Sequence, residues 1–219
     1  MIETSTGCCS VALSRGNDII AERVTTTPRQ HASILAPFVQ EVLSDAGVTM
    51  SDCEAVSVSE GPGSYTGLRV GVSTAKGLCF GAGRPLVSVN TLQILAIQGA
   101  GKADIIVPMI DARRMEVYTA TFNSDGTQLS NVEAKILDEN SFSDLLETRK
   151  VLFIGDCVEK FQAVCNHPNA SFEKCWPLAS AMLKPSLEAV QKKEFKDVAY
   201  FEPFYLKEFV AGISKKSVL

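Results

Sequence analysis

The stretch "AVSVSEGPGSYTGLRVGVSTAKGLCFGAG", Ala55 to Gly83, runs out of one apolar segment and into another. It holds Gly61, Gly63, Gly67, Gly71, Gly77, Gly81 and Gly83, yet from Thr66 onward its apolar residues recur at helical spacing. Glycine inside a helix costs roughly 0.8–1 kcal/mol relative to alanine, because the unfolded chain has more freedom to lose there. Some compensating contact is needed. "AVSVS" reads as a strand, "EGPGS" as a turn, and Thr66 to Phe80 as a helix capped by Ser64 or Thr66. Within that helix Gly67, Gly71, Thr74 and Leu78 fall on one stripe, and Leu68, Val72, Ala75 and Cys79 read as the opposite stripe. The second stripe suits the chain's own core, which leaves the small stripe for a second surface, either in the same fold or on another chain.

Outward from this motif the chain alternates strand and helix. Residues 2 to 24 read as a meander: "IETS", "CCSVALS", a turn at Arg15-Gly16-Asn17-Asp18, then "IIAERV". In "RQHASILAPFVQEVLSDAG" the residues Leu35, Phe38, Val39, Val42, Leu43 and Ala46 mark one face of a helix, with Pro37 near its start and Gly47 as its stop. After Gly99-Ala100-Gly101-Lys102 the pattern starts again. "IIVPMIDARRMEVYTATF" reads as two strands around a turn at Asp111-Ala112-Arg113-Arg114, and a further strand pair and helix follow. "VLFIGDCVEKF" then repeats the strand, glycine turn, helix order of "AVSVSEGPGSYTGL". A duplication of about a hundred residues is the simplest account, with an N-terminal lobe at 1–100 and a C-terminal lobe at 101–219. The closing helix in "AMLKPSLEAVQKKEF" and the tail after it pack back on the first lobe in this reading.

The 219 residues are 46% hydrophobic and 21% charged, an ordinary soluble composition. A net charge of -4 argues against a chain that grips nucleic acid on its own, which needs clustered Lys and Arg. The seven cysteines show no Cys-x-x-Cys spacing, so they read as small buried hydrophobes in a reducing compartment, the cytoplasm by default. No apolar run is long enough to span a bilayer.

The residue inventory weakens several enzyme readings. His31 and His167 are the only histidines and neither has a second histidine at i+4, so no metal site is expected and a His-dependent triad has little support. His31, at a helix start, reads as a capping or solvent-facing residue. "EGPGSYTGLRVG" could offer backbone amides to an anion at a helix N-terminus, but it lacks the Gly-Lys-Ser/Thr ending of a Walker loop and is not Gly-x-Gly-x-x-Gly.

Taken together, "ETSTGCCSVAL", the "RQHASILAP" helix, "GPGSYTGLRVGVSTAKGL", "PMIDARRMEVY" and "PFYLKE" resemble the bacterial TsaB (YeaZ) family nearly end to end. The resemblance implies an actin-like α/β fold (ASKHA, the sugar kinase and Hsp70 type) with two duplicated lobes. It also implies a role in making threonylcarbamoyladenosine beside the tRNA anticodon. There TsaB is a non-catalytic subunit that dimerises with the catalytic TsaD, and the ATPase TsaE joins them. tRNA would be met only through the complex, and the chain alone would pair with a second copy.

By position, Glu3, Thr4, Ser5 and Thr6 fall where the wider superfamily has its first phosphate loop, and Asp111 starts the corresponding loop of the second lobe; Gly61 and Gly63 flank the turn before the glycine-bearing helix. The superfamily prefers Asp-x-Gly-Thr where this chain has Glu-Thr-Ser-Thr, which argues against ATP or ADP as a cofactor. Where TsaD-like members have a histidine pair, this chain offers His31 alone. On the family's pattern the partner interface is formed by His31, Leu35, Gly67, Arg69, Gly71, Thr74 and Leu78. The competing reading is a nucleotide-dependent transferase or hydrolase using Glu3, Thr6 and Asp111, the old glycoprotease label included.

Overall fold

The computed structural model describes residues 1–27 and 29–207; Glu208, the last residue of "PFYLKE", and the rest of the tail lie outside the described residues. The first lobe contains β1 (Ile2–Glu3), β2 (Cys9–Arg15), β3 (Asp18–Thr25), α1 (His31–Asp45), β4 (Val56–Gly61), α2 (Tyr65–Ala82), β5 (Leu86–Asn90) and α3 (Thr91–Gln98). In the second lobe are β6 (Ile105–Asp111), β7 (Glu116–Thr119), β8 (Phe122–Asn123), β9 (Glu133–Ile136), α4 (Ser143–Leu146), β10 (Val151–Gly155), α5 (Glu159–Gln162) and β11 (Ala170–Lys174), followed by α6 (Leu183–Lys192).

The duplication is visible in the strand order. The first sheet runs β3-β2-β1-β4-β5 and the second β9-β7-β6-β10-β11, with β8 added beside β6. In each, the first three strands pair antiparallel and the last two run parallel to the first. The fourth strand of each sheet ends in a glycine at positive φ, Gly61 at 112° and Gly155 at 150°. The counterparts of α1 and α2 shrink to the four-residue helices α4 and α5.

Apolar spacing explains where the helices lie. Leu35, Phe38, Val39 and Val42 of α1 are buried and share a core with Val72, Ala75 and Cys79 of α2 and with Ile2, Val11 and Val58 of the sheet. Helix α1 carries Pro37 at its seventh residue, where the missing amide leaves Ser33 O without its helical donor, and the buried face of Leu35, Phe38, Val39 and Val42 holds the helix in spite of it. On the other face, α3 contributes Leu92, Leu95 and Ala96 to a core with Ile106, Phe122 and Ile154 of the second sheet, so it joins the two lobes. The chain then returns: Lys196 N donates to Leu86 O at 2.8 Å, and Met182 shares a small core with Val89 and Ile94.

Three elements stand beyond those expected from sequence: β5, α3 and β11. Helix α2 is also longer than Thr66–Phe80, running from Tyr65 to Ala82 with Ser64 as its cap; the Ser64 hydroxyl accepts from Gly67 N. No helix among the described residues is long and apolar enough to cross a membrane.

Candidate functional site

The loop after β1 is where the first phosphate loop was expected, and its residues are closed in. Glu3, Thr4 and Ser5 are 0% exposed and Thr6 is 5% exposed. Helix α2 seals them from one side. Thr4 Oγ1 donates to Gly67 O at 2.8 Å, and Ser64 N, at the amino end of α2, donates to Ser5 O at 2.6 Å. A β-carbon at Gly63 would overlap Ser5 O, one at Gly67 would overlap Thr4 O, and one at Gly71 would overlap Thr4 Oγ1. These glycines let helix and loop touch backbone to backbone, and this contact offsets their cost in helix propensity.

That finding corrects part of the expected partner interface. Gly67, Gly71 and Leu35 are buried within this chain, Leu35 at 1% exposure, so they face its own loop and core. Leu78 is half-buried against the same core and Thr74 is half-buried. Arg69 is exposed, its guanidinium 4.0 Å above the Tyr65 ring. The outward face of α2 carries Thr66, Ser73, Gly77, Phe80 and Gly81 instead, and a β-carbon at Gly77 or Gly81 would meet nothing within 4 Å.

His31 also turns inward, toward the loop. Its Nε2 lies 3.0 Å from Thr6 O and 3.1 Å from Cys8 O, so this nitrogen carries the proton and donates to both carbonyls. It holds the far end of the loop as α2 holds the near end. Neither sequence motif revealed this link, because it joins residues 25 apart through the backbone.

The electrostatics follow from burial. Ser5 N and Ser5 Oγ both donate to Glu3 Oε1, at 2.5 and 2.6 Å. Burial nevertheless pushes the Glu3 carboxyl up to about 7, against the lowering effect of those bonds and of the nearby Ser59 hydroxyl. Ser59 Oγ lies beside the carboxyl, but neither it nor Glu3 Oε2 reaches hydrogen-bond geometry. Gly61 closes the next turn: a β-carbon there would come 2.6 Å from Phe204 O, in the returning tail, whose Phe204 N donates to Glu60 O at 2.7 Å.

In the second lobe Asp111 is exposed and already engaged. Its Oδ1 accepts from Arg113 N at 2.6 Å and from Lys160 Nζ at 2.5 Å, while its own amide donates to Asp156 Oδ1 at 3.1 Å. Burial raises the Asp156 carboxyl to about 6, partly offset by that amide. Lys160 and Asp156 belong to "VLFIGDCVEKF", a motif the sequence read only as a repeat. Between the lobes Trp176 packs on Gly7, and Ala179 N donates to Ser10 Oγ at 2.9 Å. Among the described residues no three His, Cys, Asp or Glu side chains gather as metal ligands.

Two sheets of one strand order, joined through α3 and the returning α6, define a two-lobed actin-like α/β protein. A family model described as "TsaD: tRNA N6-adenosine threonylcarbamoyltransferase" matches residues 18–214. The chain belongs to the TsaB (YeaZ) family. It is 36% identical over 160 residues to a Bacillus subtilis protein named "tRNA threonylcarbamoyladenosine biosynthesis protein TsaB", covering 70% of this chain and 69% of that one. An Escherichia coli protein of the same name is 39% identical over 127 residues, 57% of this chain and 54% of the relative, so this match spans about half the relative's length. The solved structure titled "YeaZ from Pseudomonas aeruginosa" superposes with a TM-score of 0.81 at 28% identity, over 94% of this chain and 97% of that one.

Proposed function

We propose that this chain acts in tRNA threonylcarbamoyladenosine synthesis as a non-catalytic scaffold, pairing with a TsaD-type catalytic subunit that a TsaE-type ATPase joins. The observation that carries the non-catalytic part is the sealed first loop. Thr4 to Thr6 are buried, and the Ser64 amide that heads α2 is bonded to Ser5 O, so the residues present do not fit a nucleotide phosphate. Family membership supports the pathway. The exposed sides of α1 and α2 support pairing: Ala32, Ser33 and Ala36 on one helix and Ser73, Gly77 and Gly81 on the other are small, which lets partner helices approach closely. The same face serves a second copy when the partner is absent, and tRNA is reached only through the complex, in the cytoplasm.

Reconstitution tests this. The purified chain given threonine, bicarbonate, ATP, the enzyme that makes the carbamoyl donor, and tRNA is expected to yield no modified nucleoside until TsaD-type and TsaE-type subunits are added. Product from the chain alone, together with tight magnesium-dependent ATP binding by calorimetry, would replace the scaffold with the transferase reading built on Glu3, Thr6 and Asp111.

A further inference from the structure

Among the buried polar residues described, Glu3 alone carries an ionisable side chain. The others in the first lobe, Ser5, Ser10 and Ser59 among them, carry hydroxyls. A carboxylate taken out of water with no cation beside it is costly, and such a group neutralises itself by keeping its proton. The atoms around Glu3 fit the neutral acid. Oε1 accepts twice, from Ser5 N at 2.5 Å and from Ser5 Oγ at 2.6 Å. Oε2 has no donor, and the Ser59 hydroxyl beside it has no partner. A proton on Oε2 gives that oxygen a hydrogen to donate to Ser59 Oγ, so one proton completes two orphaned buried groups.

The neighbouring elements bring no counter-charge. β2 contributes Ser10, opposite Glu3 in the strand pair, and the thiols of Cys8 and Cys9, which burial and the Glu3 charge push up to about 12 and about 11. β3 contributes Glu22, whose Oε1 accepts from Ser180 N at 3.2 Å, and β4 contributes Glu60, which accepts from Ser88 Oγ. His31 of α1 gives its Nε2 to Thr6 O and Cys8 O. α2 turns Gly67 and Gly71 to the loop, while its Arg69 is exposed and its Lys76 is bonded to Ala199 O and Phe201 O. None of these groups pairs with Glu3.

Ser5 carries the state of Glu3 to α2. Its amide and hydroxyl are held by Glu3, and its carbonyl accepts from Ser64 N, at the head of α2, at 2.6 Å. On the other side Ser10 Oγ accepts from Ala179 N, between the lobes, at 2.9 Å. An ionised carboxylate here has to draw in water, because nothing around it offers a positive charge. The loop that α2 seals must part to admit it.

We propose that Glu3 and Ser59 form a buried proton-binding site that works as a clasp: with one solvent proton on Glu3 Oε2 the first loop is closed on the head of α2, and with that proton released the loop loosens from the helix. Burial sets the working point near neutrality, since it lifts the carboxyl to about 7. The consequence for pairing rests on the scaffold reading above. A partner that docks on α2 has to order a looser helix head once the proton has left, so it binds more weakly.

The full chain is compared with Glu3→Gln, whose side-chain amide donates to Ser59 as the acid does. In the parent labelled with carbon-13 glutamate, one side-chain carboxyl resonance should titrate near pH 7, and it should be missing from the variant. Protection of the Ser64 amide, corrected for intrinsic exchange, should fall about tenfold between pH 6 and pH 8 in the parent and stay level in the variant. Glutamates that all titrate at their ordinary value, or Ser64 protection with the same pH dependence in both chains, would overturn the clasp. Affinity for a TsaD-type subunit should fall about fivefold or more over the same range in the parent alone. An equal change in both chains would overturn the control of pairing, and no pairing at either pH would overturn the scaffold reading, with the clasp decided by the first two measurements.

Discussion

Replacing Gly67 by alanine isolates the contact that closes the first loop. The new β-carbon would overlap Thr4 O, a backbone atom of a residue with 0% exposure, which cannot swing aside as the end of a flexible side chain could. Helix α2 has to move away from the loop. That movement stretches two bonds, Thr4 Oγ1 to Gly67 O at 2.8 Å and Ser64 N to Ser5 O at 2.6 Å. Overpacking of this kind costs about 1–3 kcal/mol, and a buried polar group left unsatisfied costs about 1–3 kcal/mol more. Against this, alanine gains about 1 kcal/mol of helix propensity. The net expectation is a loss of about 1–5 kcal/mol, which in a chain of this size lowers the melting temperature by roughly 2–20 °C. Gly77→Ala is the matched control, since a β-carbon there meets nothing within 4 Å and only the propensity gain remains. It should melt about 2–4 °C higher than the parent. Thermal and urea unfolding followed by far-ultraviolet circular dichroism read both. A Gly67→Ala chain as stable as its parent would refute the backbone contact as the reason for the glycine.

Glu3→Gln should flatten part of the pH dependence of stability. Burial lifts the carboxyl to about 7 in the folded chain, against an ordinary glutamate value of 4.5, so the folded chain holds the proton more tightly, and stability falls as pH rises from about 4.5 to 7. The fall is about 3 kcal/mol; urea midpoints at pH 5 and pH 8 should differ less in the variant, and an unchanged difference would clear Glu3 of this role. His31→Ala removes the donor shared by Thr6 O and Cys8 O, and should cost about 1–2 kcal/mol in urea unfolding. Activity of the reconstituted complex should survive it, and lost turnover in an assembled complex would make His31 more than a strut.

The strands and long helices were legible because their patterns are strong: alternation in β2, four apolar positions on one face of α1, and the strand-turn-helix repeat that exposed the duplication. What stayed hidden has local causes. Asn90 ends β5 and at the same time caps α3, its Oδ1 accepting from Leu92 N at 2.9 Å, so strand passes into helix with no turn residues to separate them. The inward turn of Gly67 and Gly71, which were expected to face a partner, follows from geometry that the sequence did contain. Successive residues turn by about 100° around a helix, so the stripe of Gly67 and Gly71 lies beside that of Leu68 and Val72, not opposite it. Both stripes therefore belong to one broad inward arc. The side facing away from that arc falls on Thr66, Ser73, Gly77 and Gly81, and these are exposed. Small residues thus recur on two faces of α2: the inner set admits the chain's own backbone, and the outer set lies, beside the exposed Phe80, on the side that the proposed pairing would use. Only the inner set needs glycine in the isolated chain, so Gly67 should resist substitution with no partner present, whereas a bulky residue at Gly77 should weaken the proposed pairing through α2 without unfolding the isolated chain.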